Sequence, residues 1–149
     1  MTLGFAILGA GRIGQVHARA IASNRKGRLV AVADAFEQAA SNLIANYGGE
    51  VRTIEEIAAA DDIDAVLICT PTNTHADLIE KFATAGKDIF CEKPIDLDVG
   101  RVKSCLKIVE KTGVRLMVGF NRRFDAHFIA VKKAIEDGRI GKVEMINII

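Results

Sequence analysis

Gly9-Ala10-Gly11-Arg12-Ile13-Gly14 fits the pattern G-x-G-x-x-G, with an apolar run before it and a helical pattern after it. That spacing suits a pyrophosphate. Gly9 allows a tight turn, Gly11 lets the backbone approach the phosphates, and Gly14 lets helix and strand pack closely. The N–H groups of the first helical turn then face the anion with partial positive charge. Asp34 closes the run Leu29-Val30-Ala31-Val32-Ala33-Asp34, twenty residues beyond Gly14. A carboxylate there accepts the ribose hydroxyls of a dinucleotide, although Asp is also a good cap for a following helix. It would repel the 2′-phosphate of NADP, and Ala35-Phe36-Glu37-Gln38 brings no Arg or Lys to offset this. The expected cofactor is NAD.

Three further strand-like runs are each followed by polar residues. Thr70-Pro71-Thr72-Asn73-Thr74-His75 follows Ala65–Cys69, Glu92-Lys93-Pro94 follows Asp88–Cys91, and Asn121-Arg122-Arg123 follows Leu116–Gly119. In open α/β sheets, ligands sit outside the carboxyl ends of the strands. Thr70, Pro71, Thr72 and His75 are therefore expected beside the cofactor, with Glu92, Lys93, Asn121 and Arg122 nearer its nicotinamide end. Turn and capping chemistry accounts equally well for Thr72 and Asn73. A surface lysine and a solvated helix start are the plain readings of Lys93 and the arginine pair. Their shared position directly after strands weakens those plain readings and puts Lys93 and the arginine pair on one rim, beside the nicotinamide end.

The elements that would place these residues alternate along the chain. Strand-like runs cover Gly4–Leu8, Leu29–Ala33, Ala65–Cys69, Asp88–Cys91 and Leu116–Gly119. Helical patterns cover Ile13–Ser23, Phe36–Asn46, Thr74–Ala85 and Val99–Lys111, with a weaker strand and helix at Glu50–Thr53 and Ile54–Ala60. In the last long helix, Val99, Val102, Leu106 and Val109 predict the buried stripe. Strands apolar on both faces, each followed by a helix, imply an α/β fold with a doubly wound parallel sheet. Phe124, Phe128, Val131 and Ile135 mark a further helix closed by Gly138, and a strand is expected from Lys142. A domain ending on such a strand would be unusual. The expected organisation is a dinucleotide-binding domain over 1–120, followed at 121–149 by a connecting helix and the first strand of a second α/β domain. The unpaired apolar tail suggests self-association.

With 149 residues, half of them hydrophobic, and a net charge of +1, the chain has the size and core of one domain. It has no basic excess directed at nucleic acid or a membrane surface. Cys69, Cys91 and Cys105 lack metal or disulfide spacing. No metal is expected, and neither a signal peptide nor a spanning segment is read, which favours the cytoplasm.

With residues 9–14, 32–34, 70–75, 91–94 and 119–125 in this order, the sequence resembles the glucose-fructose oxidoreductase, inositol dehydrogenase and rhizopine-catabolism (Gfo/Idh/MocA) family. Gly119-Phe120-Asn121-Arg122-Arg123-Phe124-Asp125 together with Asp34 looks most like its myo-inositol 2-dehydrogenase branch. The resemblance implies a Rossmann fold and NAD-dependent oxidation of a secondary hydroxyl on a cyclitol or sugar. It implies that Lys93 contacts the reacting hydroxyl and the nicotinamide ribose, and that Arg123 lies near the polyol. It also implies an Asp and a His, on a helix of the second domain, that complete the catalytic set. His17, His75 and His127 do not match that histidine. The chain is therefore expected to be the cofactor-binding part of such an enzyme, inactive alone and homo-oligomeric. The alternatives are a non-catalytic dinucleotide-binding module and another sugar dehydrogenase of the family.

Overall fold

The computed structural model describes residues 2–148. The chain divides into two compact units, Met1–Gly119 and Phe120–Ile149.

The first unit is a six-stranded sheet in the order β3-β2-β1-β4-β5-β6. Its strands are β1 (Leu3–Leu8), β2 (Gly27–Ala33), β3 (Glu50–Val51), β4 (Ala65–Ile68), β5 (Asp88–Cys91) and β6 (Leu116–Val118). All neighbouring pairs are parallel. The helices are α1 (Arg12–Ala22), α2 (Glu37–Tyr47), α3 (Ile54–Ala59), α4 (His75–Thr84) and α5 (Val99–Thr112). The chain winds outward from β1 to β3 and returns through α3 to place β4 beside β1. That reversal opens a crevice between the ends of β1 and β4.

Alternation along the strands builds one apolar layer on each face. Ile7, Val32 and Leu67 pack with Ala18, Ile21, Ala40 and Leu43 of α1 and α2. Ala6, Leu8, Val66 and Ile68 pack on the other face with α3, α4 and α5. Phe82 and Ile79 of α4 are fully buried there.

The stripe expected on α5 is displaced. Val99 and Leu106 are exposed, while Cys105 and Val109 are buried. The small side chain of Cys105 allows α5 to approach α4 closely, with Cys105 Sγ 3.8 Å from the Ala76 carbonyl oxygen. The helix is turned so that this smaller residue, rather than Leu106, makes the contact. All three cysteines are free. Burial pushes the Cys69 and Cys91 thiols up to about 12 and Cys105 up to about 11.

In the second unit a short 3-10 turn, Asn121–Phe124, leads into α6 (Ala126–Glu136). The Asp125 carboxylate caps the helix by accepting from the His127 and Phe128 N–H groups. After it Gly138 takes φ +70°, and Arg139 N donates to the Ala134 carbonyl at 3.0 Å, a left-handed helix end. The strand expected from Lys142 is not formed over residues 142–148. A strand needs a neighbouring backbone to satisfy its N–H and C=O groups, and the unit's other described residues supply none.

Two outcomes follow from this packing. Phe82→Ala leaves a cavity in the α4–sheet layer and is expected to cost about 3–5 kcal/mol in denaturant unfolding. Alkylation of Cys91 by iodoacetamide in the native chain is expected to be far slower than that of free cysteine and still rising with pH at ~9, because the reactive thiolate is scarce.

Candidate functional site

β1 ends at Leu8, and the chain turns at Gly9 with φ +97°. A Cβ on Gly9 would lie 2.7 Å from the Cys69 carbonyl oxygen, and one on Gly14 would lie 2.0 Å from the Gly9 carbonyl oxygen. Helix and turn are thus packed backbone to backbone. A Cβ on Gly11 would meet no atom within 4 Å, so the space over the turn is open. The first backbone bond of α1 runs from Gln15 N to the Gly11 carbonyl at 3.1 Å. The N–H groups just before it have no intrahelical partner and sit at the positive end of the helix dipole. Arg12 is exposed, Ile13 half-buried and Ala10 buried at the base of the turn.

Asp34 lies at the end of β2 and spans the adjacent strand ends. One carboxylate oxygen accepts from Ala10 N at 2.6 Å and the other from Phe36 N at 2.8 Å. It does not cap α2, whose N-cap is Phe36. Each oxygen keeps a further lone pair for an outside donor. Asp34, Thr70, Pro71 and Arg52 are among the residues lining a cleft of about 870 Å³. Arg52 was not apparent from the residues directly after Asp34, because the pairing of β3 with β2 brings it there. Its guanidinium is paired with Asp62 at 2.9 Å and Glu50 at 3.1 Å. The hydrogen bonds to Asp62, foremost, hold its pKa above the usual value.

The loop after β4 is closed by Thr74 rather than capped by Thr72 or Asn73. Thr74 Oγ1 donates to the Pro71 carbonyl at 2.8 Å and accepts from the Thr70 hydroxyl at 2.7 Å. Thr72 is half-buried in this loop. The expectation that His75 faces the cofactor is corrected. His75 is 2% exposed, with Nδ1 2.7 Å from the Pro94 carbonyl oxygen and Nε2 2.8 Å from the Thr70 carbonyl oxygen. The ring lies behind the loop because the first turn of α4 is directed into the core.

After β5, the Glu92 carboxylate accepts from His17 Nε2–H at 2.8 Å, and the His17 ring meets the Phe90 ring edge-on at 4.9 Å. His17 is a site residue that spacing along the chain did not reveal. Lys93 is exposed and takes part in none of the ion pairs among the described residues. The Lys93–Pro94 peptide is cis. In the second unit, Asn121 and Arg123 are exposed on the 3-10 turn. Arg122 pairs with Asp125 at 3.0 Å, its guanidinium 5.0 Å from the centre of the Phe128 ring. No His, Cys, Asp and Glu cluster suited to a metal ion occurs among the described residues.

The arrangement fits NAD on its own terms: an open turn with free amides for the pyrophosphate, and a carboxylate with spare lone pairs at the neighbouring strand end. Residues 3–120 match the Gfo/Idh/MocA family, described as an oxidoreductase family with an NAD-binding Rossmann fold. The chain is 68% identical over 148 residues to inositol 2-dehydrogenase of Rhizobium meliloti (strain 1021), covering 99% of this chain and 45% of that protein. It superposes with a TM-score of 0.87 on a myo-inositol dehydrogenase from Corynebacterium glutamicum, 43% identical, covering 97% of this chain and 44% of that one. A scyllo-inositol dehydrogenase from Lactobacillus casei, solved with bound NAD(H) and scyllo-inositol, gives 0.89 at 31% identity, covering 95% and 43%. The chain thus spans less than half the length of these relatives. Sheet order, glycine turn and this match over 3–120 agree: the chain belongs to the Gfo/Idh/MocA oxidoreductase family, through its NAD-binding Rossmann fold.

Proposed function

We propose that this chain binds NAD and supplies the hydroxyl-polarising lysine for oxidation of a secondary hydroxyl on a cyclitol, as in an inositol 2-dehydrogenase. The observation that carries the reading is Lys93: an exposed ammonium, outside the ion pairs, directly after β5 on the rim that bears the glycine turn. The 68% identity to an inositol 2-dehydrogenase supports the substrate class. Residues 121–149 would then open a second, substrate-binding domain.

In this reading the N–H groups of residues 11–13 hold the pyrophosphate, Gly14 keeps α1 close beneath it, and Asp34 accepts the adenosine ribose hydroxyls. Thr70, Pro71 and Thr72 line the path toward Glu92 and Lys93. NAD, when bound, supplies the hydride acceptor. Lys93 donates to the substrate oxygen and stabilises the negative charge that develops there as the carbinol becomes a carbonyl. The proton leaves to a separate base, a contribution of about 10²–10⁴-fold. His75 is buried with both ring nitrogens at backbone carbonyls, and His17 is engaged with Glu92 through Nε2; this reading assigns the base to neither.

The acidic cleft favours NAD over NADP. At ~4 Å, like charges repel by ~4 kcal/mol at an effective dielectric of ~20. The one arginine lining the cleft is already paired with two carboxylates. Calorimetric titration is therefore expected to give NAD at least a ~10-fold lower Kd than NADP. Asp34→Asn is expected to weaken NAD and narrow that gap; equal affinity of the unaltered chain for both cofactors would contradict the assignment of Asp34. With NAD and myo-inositol, the 149-residue chain is expected to form NADH no faster than background, and an ordinary dehydrogenase rate would show that the base lies within it.

A further inference from the structure

Two histidines grip the turn that carries Lys93, one from each face of the sheet. On one face, His17 of α1 binds Glu92 at 2.8 Å and stacks edge-on against Phe90. On the other, His75 at the start of α4 binds the Pro94 carbonyl at 2.7 Å. Its second nitrogen lies 2.8 Å from the Thr70 carbonyl oxygen; a neutral ring donates to one of these two carbonyls and packs against the other, so the same ring meets both the Lys93 turn and the loop after β4. Lys93 is the one residue between the two gripped positions and is itself exposed.

The partners are far apart in sequence. His17 and Glu92 are separated by 75 residues, and His75 and Pro94 by 19. Local turn chemistry therefore does not account for either contact. Each histidine belongs to a helix whose first turn adjoins a cofactor-facing loop: α1 follows the glycine turn and α4 follows Thr70–Thr74. A lysine has four rotatable bonds and a mobile charge, and polarisation of a substrate oxygen depends on where the ammonium is held. The Glu92 side chain is thus tied to α1, which follows the glycine turn, and the Pro94 carbonyl to the ring that also meets the loop after β4, so Lys93 sits between two contacts that lead back to the cofactor-facing loops.

We propose that His17 and His75 are positioning residues for Lys93, coupling the conformation of the two cofactor-facing loops to the placement of its ammonium. The proposal rests on the reading of Lys93 given above. An ordinary core histidine would stabilise the fold without affecting what Lys93 experiences when cofactor binds, and that difference is measurable.

The test follows the Lys93 Cε–Hε resonance in chain labelled with ¹³C-lysine, assigned through Lys93→Arg, as NADH is added to saturation. The unaltered chain is expected to show a distinct shift at Lys93. His17→Leu and His75→Leu are each expected to reduce it to less than half. His17→Gln keeps a donor toward Glu92 and is expected to restore it. His75→Asn places an amide where Nδ1 stood, toward Pro94, and is expected to restore it, whereas His75→Gln reaches toward Thr70 and is not. Full responses in folded Leu variants would overturn the coupling. If the Leu variants fail to fold, the Asn and Gln variants of His75 decide, and equal responses from them would overturn it. Binding of NADH by the unaltered chain without any shift at Lys93 would instead overturn the placement of Lys93 at the nicotinamide end.

Discussion

No side chain can stand at position 14. A Cβ there would fall 2.0 Å from the Gly9 carbonyl oxygen, inside any tolerable contact. This close approach lets α1 begin directly over the end of β1, so its free amides open toward the crevice between β1 and β4. It also sets where Ala10 lies, and hence where Asp34 finds an N–H at 2.6 Å. The glycine turn, the carboxylate and the strand order are thus one geometric arrangement. Moving α1 away from the sheet by the width of a methyl group would separate all three.

Features written in consecutive residues were legible from the sequence. The glycine spacing, the acid after β2, the alternation of strands and helices, and the polar residues after β4 and β5 all follow from local sequence, and the fold places each at the carboxyl rim of the sheet. Features that depend on distant partners were not legible. Arg52 enters the cleft only because β3 pairs with β2, and its neutralisation by Asp62 needs the return path to β4. His17 and Glu92 share no pattern until the sheet brings α1 against β5. On α5, periodicity put Leu106 in the buried stripe, and Cys105 took its place because of how closely α4 approaches. The strand expected from Lys142 had the composition of a strand without the neighbour that a strand requires.

Charge is distributed unevenly across a chain that is nearly neutral. The cleft at the ends of β1 and β2 collects Asp34, Glu37, Glu55, Glu56 and Asp77, and its one arginine is held by two carboxylates. Glu55 is bound to Lys81, and Asp77 to Arg101. On the same rim Lys93 stays outside these pairs. The buried Cys91 and Cys105 and the half-buried Cys69 add no ready nucleophile, since burial pushes all three thiols up. The polar chemistry of the first unit is thus concentrated where strand ends meet helix starts, with the phosphate-binding amides at one place and the ammonium at another.

The central claim is that the glycine turn and Asp34 form the cofactor site and that Lys93 lies at its reacting end. A crystal structure of the chain grown with NADH tests it most directly. The account predicts pyrophosphate density against the amides of residues 11–13, ribose hydroxyls on Asp34, and the nicotinamide next to Lys93. Cofactor density elsewhere, or a nicotinamide remote from Lys93 with the adenosine correctly seated, would contradict it.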